Sequence, residues 1–158
     1  MSIKILYYPD KRLRKIAKYV YNINNSTRSL IKDMFDFMYF KDGIGLAATQ
    51  VNIHKQIVVI DISEKKNKPL VLINPKILKK NGYCSINEGC LSIPDKNGFV
   101  IRSKRILVKA LNYYSDKIYV AADNLLSICI QHELDHLKGR LFIDNFYHFN
   151  ILKYKKNN

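Results

Sequence analysis

Between residues 26 and 41 the apolar positions Leu30, Ile31, Met34, Phe35 and Met38 recur at steps of three and four, which predicts an amphipathic helix. Asn25 or Ser26 stands where a cap belongs, and Gly43 follows the end. Beyond it the period changes. Residues 56–62 and 70–73 are short runs rich in β-branched side chains and read as strands, separated by a charged, turn-like stretch over 63–69. Further strands are expected over 77–80, 98–102, 106–113 and 117–121, with Ser115-Asp116 as a turn. A second helix begins after Asp123, a good N-cap residue, and carries Leu125, Ile128, Cys129, His132 and His136 towards Gly139. This order predicts an α+β fold: mostly antiparallel β-sheets packed around the later helix, with an N-terminal helix and a short C-terminal tail or helix.

Length and composition narrow the picture. A chain of 158 residues is expected to form a single domain over 1–158, with a short basic tail over 148–158. With 47% hydrophobic and 25% charged residues, disorder is not expected. Runs such as Ile57-Val58-Val59-Ile60 are too short to cross a bilayer. The first 20 residues mix Lys, Arg, Asp and Pro among their apolar positions, so neither a membrane anchor nor a secretory signal is expected. Cys84, Cys90 and Cys129 make an odd count at spacings unlike a disulfide framework, which points to a cytoplasmic protein.

The formal charge of +14 changes less than its size suggests. Lys outnumbers Arg 21 to 6, and the abundant Ile and Asn share its A/T-rich codons, so base composition accounts for much of the bias. Sequence-specific nucleic-acid recognition leans on Arg and is not expected. Weak electrostatic attraction to a polyanion remains open.

The chemistry is concentrated in His132-Glu133-Leu134-Asp135-His136, an H-E-x-x-H pattern inside the second predicted helix. Side chains at i and i+4 share a helix face, so the two imidazoles can converge on one metal ion while Glu133 reaches a water without ligating. The plain alternative is a pair of surface histidines beside a solvated Glu and Asp. Against it, two of the chain's four histidines stand here, in phase, on an apolar helix. The third ligand is not supplied by familiar downstream spacings. Phe142 occupies the position of the metzincin histidine, no Glu follows Glu133, and Asp144 and His148 fit no known spacing. An upstream ligand is therefore expected. Cys90 lies in Asn87-Glu88-Gly89-Cys90-Leu91-Ser92-Ile93-Pro94, a tight, turn-like context, whereas Cys84 and Cys129 have plainer surroundings and Cys129 reads as a small buried hydrophobe. Gly43-Ile44-Gly45-Leu46-Ala47-Ala48-Thr49-Gln50 adds a small-residue segment with one amide side chain that can donate to a substrate.

These three segments, in this order, strongly resemble the peptide deformylase family. The resemblance rests on residues 43–50, on Glu88-Gly89-Cys90-Leu91-Ser92 and on Gln131-His132-Glu133-Leu134-Asp135-His136-Leu137-Lys138-Gly139, and it covers roughly residues 3–147. The opening Pro9-Asp10-Lys11-Arg12-Leu13-Arg14 also looks like the family's N-terminal segment.

The resemblance implies a divalent metal held by Cys90, His132 and His136, usually Fe(II), with Ni(II), Co(II) or Zn(II) able to substitute. It implies that Glu133 takes a proton from the metal's water and that Gln50 and the Leu91 backbone N–H receive the oxyanion. The implied substrate is the N-formylmethionine of a nascent polypeptide, and formate is the product. Substrate backbone is expected beside Gly45 and Gly89, and the methionine side chain among Ile44, Ile86, Leu125, Ile128 and Cys129. A monomer with at most weak electrostatic ribosome association is expected. The chain departs from the family at Asn97, where many bacterial members carry Arg, and in its short tail. Two rival readings use the same helix: another metallohydrolase such as an aminopeptidase, or a basic binding module with a structural metal.

Overall fold

The first predicted helix forms as α1 (Asn25–Phe40) in the computed structural model, which describes residues 3–145. Its cap, Asn24, lies one position before Asn25 and two before Ser26, the residues expected. Asn24 Oδ1 accepts from the Thr27 N–H at 3.0 Å, satisfying one of the N–H groups that a helix start leaves open. The buried face consists of Thr27, Ile31, Met34 and Met38.

The strands form one antiparallel sheet in the order β1 (Gly45–Ala47), β2 (Ile57–Ile60), β3 (Leu70–Cys90), β4 (Ile93–Leu111) and β5 (Lys117–Asp123). The separate strands read at 70–73 and 77–80 are both parts of β3, and those at 98–102 and 106–113 fall in β4, the latter overrunning its end at Leu111 by two residues. Register shifts between Ile73 and Lys76 and between Ile77 and Lys79 break the two-residue alternation, which splits one long strand into apparent short ones. Beyond Lys80, where the sequence predicts no strand, β3 owes its conformation to the ladder that pairs Lys79–Gly89 with Asn97–Leu107.

β2 explains how the layers stack. All four of its residues are buried, because Val58 and Ile60 face one helix while Ile57 and Val59 face the other. On the first side lies α2 (Asn124–Leu137), whose Ile130, Leu134 and Leu137 pack against Val58, Ile60, Leu72, Ile106 and Val108. On the second side α1 brings Ile31, Met34 and Met38 against Leu46, Ile57, Val59 and Ile73. Asp123 occupies the N-cap position of α2 as expected, but its side chain makes no capping bond. A third cluster joins Leu6 and Leu13 to Ile93, Val100, Leu141, Phe142 and Ile143. Among the described residues no helix is long and apolar enough to cross a membrane. The expected tail over 148–158 lies outside the described residues.

The end of α1 is fastened to the loop after β2 by one carboxylate. Asp61 accepts from Tyr39 Oη at 2.8 Å, from the Ser63 N–H at 2.9 Å and Ser63 Oγ at 2.5 Å, and from the Lys68 N–H at 3.2 Å. Burial opposes its charge, but these donors outweigh burial and hold its carboxyl below the ordinary value. The folded chain is then the stronger acid. The stabilisation is present above the unfolded value of about 4 and is lost as pH falls through the lower folded one. Asp61→Asn is therefore expected to cost about 1–3 kcal/mol at neutral pH. Urea midpoints of the variant and the parent should draw together as the pH is taken below about 4; a gap that stays constant would show that the charge of Asp61 contributes nothing.

Candidate metal centre

Cys90 ends β3, and the two residues Leu91 and Ser92 turn the chain into β4, with Cys90 paired to Ile93. This turn is the tight context read from the sequence. It presents the thiol to α2, where His132 and His136 lie one turn apart on a buried face. The ligand atoms of Cys90, His132 and His136 all lie within 4.8 Å of one another. Cys90 Sγ is 3.3 Å from His136 Nε2, which is 3.2 Å from His132 Nε2. One sulfur and two imidazole nitrogens converging at this range form a donor set that suits a borderline-soft divalent ion, so the residues present fit the metal implied by the resemblance. Asp144, the alternative downstream ligand, is held instead by Arg14 at 2.5 and 2.9 Å. His148 lies outside the described residues.

His132 is oriented by a chain of charged side chains whose central pair, Glu88 and Arg102, is buried. Its Nδ1 is 2.9 Å from Glu88 Oε2, which leaves Nε2 facing the cluster. Arg102 donates through Nε to Glu88 Oε1 at 2.5 Å and through Nη2 to Oε2 at 2.9 Å, and through Nη1 to Asp135 Oδ2 at 2.9 Å. Burial would push the Glu88 carboxyl up, but the bonds from His132 and Arg102 hold it below its ordinary value. The sequence alone does not single out Glu88 or Arg102 as positioning groups. For Glu88 a signal exists, because it lies two residues before Cys90 and therefore on the same strand face. Arg102 has no local signal, since only the β3–β4 register brings it inwards.

A cavity of about 360 Å³ opens onto the cluster. Ile44, Gly45, Ile86, Gly89, Leu125, Ile128 and Cys129 all line it, as do Gln50, Leu91, His132 and Glu133. Asp42, Gly43 and Asn87 are also in its wall and were not anticipated. Cys129 behaves as the buried hydrophobe expected: burial pushes its thiol well above the ordinary value, and Sγ lies 3.7 Å from the Ile44 carbonyl oxygen. The two glycines expected beside substrate differ. A Cβ on Gly45 would lie 2.5 Å from Glu133 Oε1 and 2.9 Å from Cys129 Sγ, so only glycine leaves the carboxylate its place. A Cβ on Gly89 would meet nothing within 4 Å, because that backbone faces the open cavity.

Gln50 and Glu133 are poised differently. The Gln50 Oε1 accepts from the Ala47 N–H at 2.8 Å, which fixes the amide and turns Nε2 towards Ser92 Oγ at 3.1 Å and Cys90 Sγ at 3.6 Å. Glu133 is buried, and its Oε2 has no hydrogen-bond partner among the described residues. Burial raises its carboxyl to about 7, against the pull of His132 and Arg102. A carboxylate this poorly solvated, beside three metal donors, is placed to exchange a proton near neutral pH.

Known proteins share this arrangement of segments. The model of the polypeptide deformylase family matches residues 2–150. A peptide deformylase of Blochmanniella pennsylvanica is 58% identical over 157 residues, covering 99% of this chain and 89% of the relative. The crystal structure of a peptide deformylase from Legionella pneumophila superposes with a TM-score of 0.88 at 39% identity, over 98% of each chain. One from Synechococcus elongatus, in complex with actinonin, gives 0.87 at 43% identity, over 91% of this chain and 78% of that one. Matched over nearly its whole length in both sequence and fold, the chain belongs to the polypeptide deformylase family.

Proposed function

We propose that the cavity beside Cys90, His132 and His136 hydrolyses the formamide of N-formylmethionine at the start of new polypeptides. The observation that carries this reading is Glu133, which lines the same cavity as Cys90 and His132 and whose buried Oε2 has no hydrogen-bond partner among the described residues. Cys90, His132 and His136 would hold one divalent ion; the family resemblance implies Fe(II), with Ni(II), Co(II) or Zn(II) able to replace it. When bound, that ion supplies Lewis acidity and makes water acidic enough to ionise near neutral pH.

The chain's own residues then divide the work. Glu133 takes the proton from the attacking water, whose oxygen bonds to the formyl carbon. Gln50 Nε2 and the Leu91 backbone N–H donate to the oxyanion that develops. Glu133 returns its proton to the departing amine as the C–N bond breaks, so formate and a free amino terminus leave. Substrate backbone lies as an added strand beside Gly45 and Gly89, where one backbone is pressed against Glu133 and the other is open. The methionine side chain sits among Ile44, Ile86, Leu125, Ile128 and Cys129. The protein acts as a cytoplasmic monomer, with ribosome association limited to weak, salt-sensitive attraction.

The direct test compares formate release from a formyl-Met peptide with cleavage of the same peptide unformylated; turnover of only the unformylated one would replace this reading with an aminopeptidase. Glu133→Gln should retain metal stoichiometry and lose about 10²–10⁴ in turnover, since it removes the base and not a ligand. Metal loss alongside activity, by elemental analysis, would make Glu133 a ligand. Gln50→Ala should lower kcat by about 10²–10³ with the metal retained. A change confined to KM would make the amide a ground-state contact. Cys90→Ser should weaken metal retention during dialysis against chelator, while Cys84→Ser and Cys129→Ser retain the ion. The reverse pattern would overturn the ligand assignment.

A further inference from the structure

A second cleft, of about 250 Å³, opens against Arg102 and Asp135 and shares no lining residue with the catalytic cavity. Lys80 from β3 and Lys138 and Arg140 from the end of α2 line it, all three exposed. None of the three forms an ion pair among the described residues. The neighbouring acids are already engaged: Asp135 by Arg102, and Asp144 by Arg14. The same cleft is walled by two large apolar side chains that the fold leaves in water, Tyr83 at 83% exposure and Ile101 at 54%.

We propose that this cleft docks single-stranded RNA, with Lys80, Lys138 and Arg140 on backbone phosphates and the Tyr83 ring stacked on an unpaired base. Three cations that form no ion pair among the described residues, around one concavity in a chain of net charge +14, call for a polyanion. A single small anion would need donors converging at depth, whereas these are three long, exposed side chains from two separate segments of the chain. The exposed aromatic ring selects among polyanions. An acidic protein offers it no flat partner and a duplex keeps its bases stacked, but an unpaired base presents a π-face of matching size. Ammonium groups outnumber guanidinium here, so bonds to phosphate dominate and recognition is independent of sequence. The proposed docking residues Lys80, Tyr83, Lys138 and Arg140 lie outside the catalytic cavity, although Arg102 and Asp135, which also line the cleft, anchor Glu88 beside His132.

The test uses the full chain and a fluorescent single-stranded oligoadenylate of about a dozen nucleotides, with affinity read by anisotropy at several salt concentrations. Replacing Lys80, Lys138 and Arg140 together by Ala should flatten the slope of log affinity against log salt by about 2, at about 0.7 for each phosphate no longer neutralised. Tyr83→Ala should weaken binding about tenfold with the slope unchanged, and Tyr83→Phe should retain it. An equal number of exposed cations removed elsewhere, Lys32, Lys65 and Lys117, should leave affinity near the parent's. Formate release from a short formyl-Met peptide reports an intact fold in every variant. Should the triple variant melt early, Lys80→Ala alone on the exposed hairpin reads the same slope, flattened by about 0.7. If the Lys32, Lys65 and Lys117 set flattens the slope equally, binding is net charge and the site is wrong. If polyglutamate competes as well as RNA and Tyr83→Ala has no effect, the cleft takes an acidic protein and the proposal also fails.

Discussion

The chain Asp135–Arg102–Glu88–His132, buried except at its partly exposed Asp135 end, is the interaction on which the rest of the metal centre depends. It links β3, β4 and α2 through a single guanidinium, and both side chains of its central pair are almost wholly out of water. A charge in that position is tolerable only while every partner is present; removing one partner from such a pair costs about 3–5 kcal/mol. Arg suits the role because its planar fork matches Glu88 bidentately and still reaches Asp135 with the third nitrogen. The fold gains little net energy from such a pair compared with apolar packing. What it gains is a fixed ring: with Nδ1 held by Glu88, the Nε2 of His132 has one direction left.

Two glutamates close together in space take opposite characters from their surroundings. Glu88 meets a guanidinium and an imidazole, and stays ionised although buried. Glu133 is equally buried but has an oxygen without a partner, and its carboxyl rises to about 7. The first is a positioning group and the second is suited to moving protons. Gly45 maintains the difference, because any side chain there would press on the Glu133 carboxylate.

Residues 6–17 hold the pieces together. Leu6 N–H donates to the Gln50 carbonyl at 2.7 Å, Tyr8 N–H to that of Ser92 at 2.9 Å, and Ala17 N–H to that of Leu137 at 2.8 Å. Each of the three chemistry-bearing segments is thus tied to one N-terminal strap. The strap passes so near Gly139 that a Cβ there would run into the Arg14 backbone, and the positive φ of 68° at Gly139 disfavours other residues independently. Close approach, not turn chemistry alone, explains the glycine that ends the family-like H-E-x-x-H segment.

Much of the fold and most of the site could be read along the chain, because local periodicity carries them. The steps of three and four in α1, the phase of His132, Glu133 and His136 in α2, and the alternation in β4 and β5 each follow from backbone geometry that any few turns of chain already express. The order of the three motif segments added Cys90 and Gln50. What the chain could not express locally was the pairing register. The pairing that carries β3 as one strand across its bulges, the inward placement of Arg102 against Glu88, and the cleft joining Lys80 to Lys138 and Arg140 arise where residues distant in sequence meet. A single-residue slip of an antiparallel register exchanges the faces of a strand, so the same Arg102 would be a solvated surface charge in one pairing and the anchor of the metal centre in the other. Sequence determined which chemical groups were available and which helix carried them; the tertiary structure decided which of them meet, because register and burial are properties of pairs of segments and not of either one alone.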